Sequence, residues 1–170
     1  MGLFDRVRRA VGDRAASAPT AGPEERVRVL PDPEQPVGDL PLKPEGRRLT
    51  DEERAEIAGH LARLEAEGVD VDDLDSIGTG LDRALAAWVS SRGQDHDEIV
   101  RRYAVAIGEH LHRHTDLAWE MVTDVFGTDL SVAAGDFVVV PGNLVAVRWM
   151  RRETGWVPRV VGHLVELRRR

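Results

Sequence analysis

Apolar residues recur every three or four positions through the first ordered half of the chain, and every second position later on. Ile57, Leu61 and Leu64 share one helical face, and Gly68 stops the pattern. Thr50 with Glu53 makes a capping box in front of it, and Asp51 to Glu53 place anions where a helix dipole favours them. Leu74, Ile77, Leu81, Leu85 and Trp88 predict a second helix to about residue 90, with Asp70 or Asp72 as its cap. Gly78 and Gly80 weaken that helix by about 1 kcal/mol each relative to Ala, and permit close packing or a bend. Asp95 or Asp97 caps a third helix built on Ile99, Val100, Tyr103, Ile107 and Leu111.

From Leu117 the period falls to two. Leu117, Trp119 and Met121 point one way, Glu120, Val122 and Asp124 the other, which predicts a strand over 117–125. Gly127-Thr128-Asp129 reads as a hairpin turn before a strand at Leu130–Ala133, and Gly135-Asp136 as another before Phe137–Val140. Pro141-Gly142-Asn143 interrupts. Val145, Val147 and Trp149 alternate again, so Leu144–Arg151 is expected to be a fourth strand. Residues 159–169 return to helical spacing through Val160, Val161, Leu164 and Leu167. The fold class expected is α+β: three N-terminal helices packed on a small antiparallel sheet of about four strands, with a C-terminal helix.

The N-terminal segment differs. Residues 1–12 are expected to form a short amphipathic helix with Leu3, Phe4, Val7 and Val11 on one face, a docking surface for a partner or an anionic membrane. The amphipathic pattern itself covers 3–11, too short a stretch to hold an isolated helix in water, so a frayed start weighs against docking. Residues 13–48 carry seven prolines and no aromatic residue. Proline removes amide donors and biases its predecessor away from helix, so this stretch reads as a flexible Pro-rich linker. The globular α+β domain is then 49–170.

Charge sharpens this picture. The chain of 170 residues carries a net charge of −7. Residues 49–100 concentrate it, with fourteen acidic side chains against four basic ones. An acidic middle argues against nucleic acid as a partner, because phosphate contacts need clustered cations. With no Cys there is no disulfide framework and no thiolate metal site. No run of 18 apolar residues and no signal-peptide core are present, so a cytoplasmic location is expected. Lys43 is the sole Lys among many Arg, which fits high-GC, actinobacterial coding.

Candidate chemistry is sparse. The Asp70–Asp75 cluster fails as a calcium loop: the positions that need Gly and Glu hold Asp75 and Leu81. His110 and His114 are spaced i, i+4 like the ligands of HExxH, but position 111 is Leu where that motif needs Glu. A third ligand would come from Glu109, His60 or His163. Glu109 is a candidate acid or base, weighed against an ion pair with Arg113 one turn on. No nucleophile elbow and no GxGxxG loop occurs. The tryptophans read as core, with Trp156, in a turn, as the one expected at the surface; Trp119 and Trp156 join Glu109 as binding candidates.

The segment YAVAIGEHLHRHTDLAWEMV resembles the central signature of the DUF3806-like uncharacterised bacterial domains. Gly108-Glu109 on a helix, Trp119 on the following strand and the VVVP step at Val138–Pro141 carry the likeness, over roughly 70–155. It implies helices packed on a small antiparallel sheet, and it brings no established activity, so no catalytic residue carries over from it. The expected function is a non-enzymatic protein-interaction or adaptor module with an unidentified protein partner and no cofactor. The alternatives are a metal-binding or hydrolytic domain using Glu109, His110 and His114, and peripheral membrane association through the N-terminal helix.

Overall fold

The computed structural model describes residues 43–91 and 95–169, all within one compact unit, Leu40–Arg170. The amphipathic helix expected at 1–12, with Leu3, Phe4, Val7 and Val11, lies outside the described residues, as does most of the linker expected at 13–48.

The fold is α+β, with five helices and one four-stranded antiparallel sheet among the described residues. In chain order these are β1 (Glu45–Arg48), α1 (Asp51–Ala66), α2 (Leu74–Ser91), α3 (His96–His114), β2 (Ala118–Asp124), β3 (Gly127–Ala134), β4 (Phe137–Val139), α4 (Pro141–Arg151) and α5 (Val157–Arg168). The sheet order follows the sequence, β1-β2-β3-β4.

Local chemistry accounts for most boundaries. Thr50 caps α1 by accepting from the Glu53 amide, while the Glu53 carboxylate accepts from the Thr50 amide at 2.8 Å. Arg47 from β1 adds a bidentate pair to Glu53. Arg47's hydrogen bonds and the Thr50 amide hold the Glu53 carboxyl down at about 2. Asp73, rather than Asp70 or Asp72, opens α2 by accepting from the Asp75 amide. Asp95 does the same for α3 through the Asp97 amide.

The core lies between the helices and one face of the sheet. Leu49, Ile57 and Val105 pack with Leu61, Trp119, Met121 and Leu130, which joins α1 and α3 to β2 and β3. Trp119 opposes Val132 and Met121 opposes Leu130, so one pleat face carries this apolar row. On the far side of α3, Ile77, Leu81 and Leu85 of α2 and Val157, Val161 and Val165 of α5 are buried.

Three expectations are corrected. Leu144–Arg151 is not a strand: it lies in α4, which buries Val145, Ala146 and Trp149. Its alternation of Val145, Val147 and Trp149 also fits a helix, with Val147 turned outward. Pro141 does end the strand, β4 stopping at Val139, and it also sits in the first turn of α4, where its missing amide costs nothing. The fourth strand is β1, inside the stretch expected to be linker; its sequence, EGRR, has no apolar residue and pairs through backbone, Arg48 opposite Glu120. The β2–β3 turn falls at Val125-Phe126, not at Gly127-Thr128-Asp129, and Gly127 pairs with Asp124 as the first residue of β3.

Candidate functional site

The C-terminal half of α3 gathers the residues singled out by sequence. Position 108 comes first. A Cβ there would stand 2.0 Å from Trp119 Cη2, so only glycine lets the Trp119 indole lie against α3. In that position Trp119 Nε1 donates to Glu109 Oε2 at 3.0 Å. The other carboxylate oxygen, Oε1, accepts from Arg113 Nε at 2.8 Å. Gly108, Glu109, Arg113 and Trp119 thus form one packed unit tying β2 to α3.

The network continues into the α1–α2 loop. Arg113 Nη1 donates to Asp72 Oδ2 at 2.8 Å, and His114 Nε2 lies 3.1 Å from Asp72 Oδ1. Burial pushes the Asp72 carboxyl up, but the Arg113 hydrogen bond and charge, with His114 adding to them, outweigh it and hold it below its ordinary value. Arg113 is raised, first by its hydrogen bond to Glu109.

His110 is buried, with Nδ1 2.9 Å from the Val71 carbonyl, where Nδ1–H donates. Burial lowers its pKa; the Val71 carbonyl opposes this and the neighbouring His114 adds to it. The His110 and His114 rings contact each other, with centroids 4.4 Å apart. The two histidines therefore share a face, as their spacing implied, and each holds the α1–α2 loop. His112 is exposed and bonds the Leu117 carbonyl through Nδ1. His60 lies elsewhere, buried between α1 and α3 with Glu56 and Glu98 at 3.8 and 3.9 Å. His163 is exposed on α5.

Among the described residues, the cluster whose ligand atoms lie close enough to share an ion is Asp95, His96 and Asp97, within 4.8 Å of one another, at the start of α3. Its members are already engaged: Asp95 caps the helix, and His96 Nε2 lies 3.0 Å from Asp97 Oδ1. His110 and His114 are not in it.

Trp156, expected at the surface, is buried at 2% exposure beneath the Arg148 guanidinium, 4.6 Å from its ring centroid. That expectation is corrected: the residue sits at the N-cap of α5, and the turn folds inward. Among the described residues the exposed aromatic is instead Phe126, at 75%, beside Val125 at 48%, on the tip of the β2–β3 hairpin. The tip is ordered by its own polar groups. Asp124 Oδ1 accepts from the Phe126 amide at 2.7 Å, and Thr123 and Thr128 bond across the pair at 2.8 Å. Gly127 has φ 135°, which absorbs the backbone demand of the turn. Asp at the first position and Gly at the fourth is a type I turn signature, a signal present in the sequence as Asp124-Val125-Phe126-Gly127.

No family model, no curated protein and no solved structure matches the chain. No helix among the described residues is long and apolar enough to cross a membrane.

Proposed function

We propose that the unit Leu40–Arg170 is a non-enzymatic protein-interaction module that docks a partner protein on its β2–β3 tip. The observation that carries this reading is Phe126, three-quarters exposed on a turn held in place by Asp124 and Gly127. An aromatic side chain presented outward on an ordered turn loses little entropy on binding, and aromatic residues are enriched in the cores of protein interfaces. The partner surface is an apolar pocket with a basic rim, because Asp124 lies next to the tip and Glu45 stands opposite Thr123.

The residues that would serve an enzyme support the same reading by where they are spent. Both Glu109 oxygens are taken by Arg113 and Trp119, and His110 is committed to the Val71 carbonyl. The likeness to the DUF3806-like domains belongs to this proposal too: Gly108, Glu109 and Trp119 make a packing unit, which suits a signature kept for folding.

Replacing Phe126 with Ser tests the reading. Unfolding should change by no more than about 0.5 kcal/mol, as for an exposed side chain with no structural contact. A photo-crosslinking amino acid at position 126 should then capture the same protein that wild type retains and Phe126→Ser releases. Equal retention by both chains would sink the proposal.

A further inference from the structure

Helix α5 is apolar on two adjoining stripes. Val157, Val161 and Val165 are buried, at the spacing of one helix face, and α5 packs on α2 and α3. The second stripe, Val160, Leu164 and Leu167, has the i, i+4, i+7 spacing of a docking face. It passes from half-buried at Val160 and Leu164 to 59% exposed at Leu167. Alongside it, on the outer surface, Arg159, His163 and Glu166 are all exposed at the same spacing. No ion pair among the described residues uses Arg159 or Glu166, though most other acid–base neighbours on the helices are paired.

We infer that this face of α5 pairs with α5 of a second copy of the chain, antiparallel about a two-fold axis near His163. A two-fold interface must be self-complementary: if one residue faces a second, the second faces the first. Arg159 and Glu166 meet that condition. They flank the centre at opposite ends, so the antiparallel arrangement sets Arg159 of each copy against Glu166 of the other. The parallel arrangement would set like charge against like. Between the two ion pairs, Leu164 of both copies meets at the centre, and Leu167 of each covers Val160 of the other. The tip at Phe126 is on a different element, so this contact stands or falls apart from the partner proposed above.

Light scattering on the full chain, with its concentration varied, tests the inference. The wild type should approach twice the 18.8 kDa of one chain as concentration rises. Leu167→Glu should return it to the single-chain mass with unchanged circular dichroism. Arg159→Glu and Glu166→Arg should each weaken association about tenfold, since each spoils two symmetric ion pairs at once. The double reversal should restore it to within about twofold, because the pairs re-form with their signs exchanged. A wild type that stays at single-chain mass throughout overturns the inference. So does a double variant no tighter than the singles, or a Leu167→Glu chain that still associates.

Discussion

One missing methyl group at position 108 decides whether Trp119 reaches Glu109. Gly108→Ala would gain about 1 kcal/mol of helix propensity. It would also drive a Cβ into the indole at 2.0 Å, and the loss from displacing Trp119 and its hydrogen bond is larger. The expected net effect is a destabilisation of about 2–3 kcal/mol, read by urea unfolding. Gly59, also inside a helix, has nothing within 4 Å of where its Cβ would be. Gly59→Ala should therefore stabilise by about 0.5–1 kcal/mol, the ordinary helix gain. Opposite signs at two helical glycines check that the packing, and not the residue type, controls position 108. The Gly-Glu step was visible in the sequence, and the Glu109–Arg113 pair followed from its spacing. The indole that occupies the second carboxylate oxygen was not, since Trp119 is ten residues away and on a strand.

At the scale of elements, α4 shows how a pattern can satisfy two periods. Val145, Val147 and Trp149 alternate, yet the buried set is Val145, Ala146 and Trp149, and the decisive signal was Pro141 at the helix start. The end of α4 was harder to see, because Arg152 takes the left-handed conformation that usually belongs to glycine, at φ 56°. The Glu153 amide bonds the Arg148 carbonyl and the Arg152 amide bonds the Trp149 carbonyl, which closes the helix there. An L side chain in that region costs roughly 1 kcal/mol or somewhat more. Arg152→Gly should consequently raise stability by about 0.5–1 kcal/mol in thermal or urea unfolding, against the usual direction of a glycine substitution. No change, or a loss, would mean that the Arg152 side chain contributes a contact that offsets the strain. Strand β1 was illegible for a different reason. Four exposed residues without an apolar one carry no period at all, and their place is set by backbone pairing to β2 and by the Arg47–Glu53 ion pair.

Across the whole unit Leu40–Arg170, α3 is the common wall. It packs against α1, α2, α4, α5, β2 and β3, and its residues from Ile99 to Leu111 are buried apart from Arg101 and Glu109. Two histidines are buried at its contacts, and both are pushed to lower pKa first by burial. His110 ties α3 to the loop at Val71. His60 faces α3 from α1, and its Nδ1 has no hydrogen-bond partner among the described residues. Glu98 and Glu56 work against the burial effect at His60, while Arg101 and Arg63 reinforce it. A group whose folded pKa lies below its unfolded value binds fewer protons when folded, so the unfolded chain takes up protons first as pH falls. The stabilisation is complete above the unfolded value near 6.5 and is lost as pH drops from there through the folded values. Each histidine can steepen the decline by at most about 1.4 kcal/mol per pH unit. Glu53 acts later: its carboxyl is held at about 2, so its contribution is present above about 4.5 and fades as pH falls toward 2. The expected curve of stability against pH is therefore flat near neutrality, bends downward below about 6.5 and steepens again below about 4.5. His60→Gln should remove part of the first bend and leave the second, because glutamine keeps polar atoms at the buried site and takes up no proton. A first bend identical in wild type and His60→Gln would assign the acid sensitivity to other groups. A bend that vanished completely would mean that His110 contributes nothing, contrary to its buried place beside Val71.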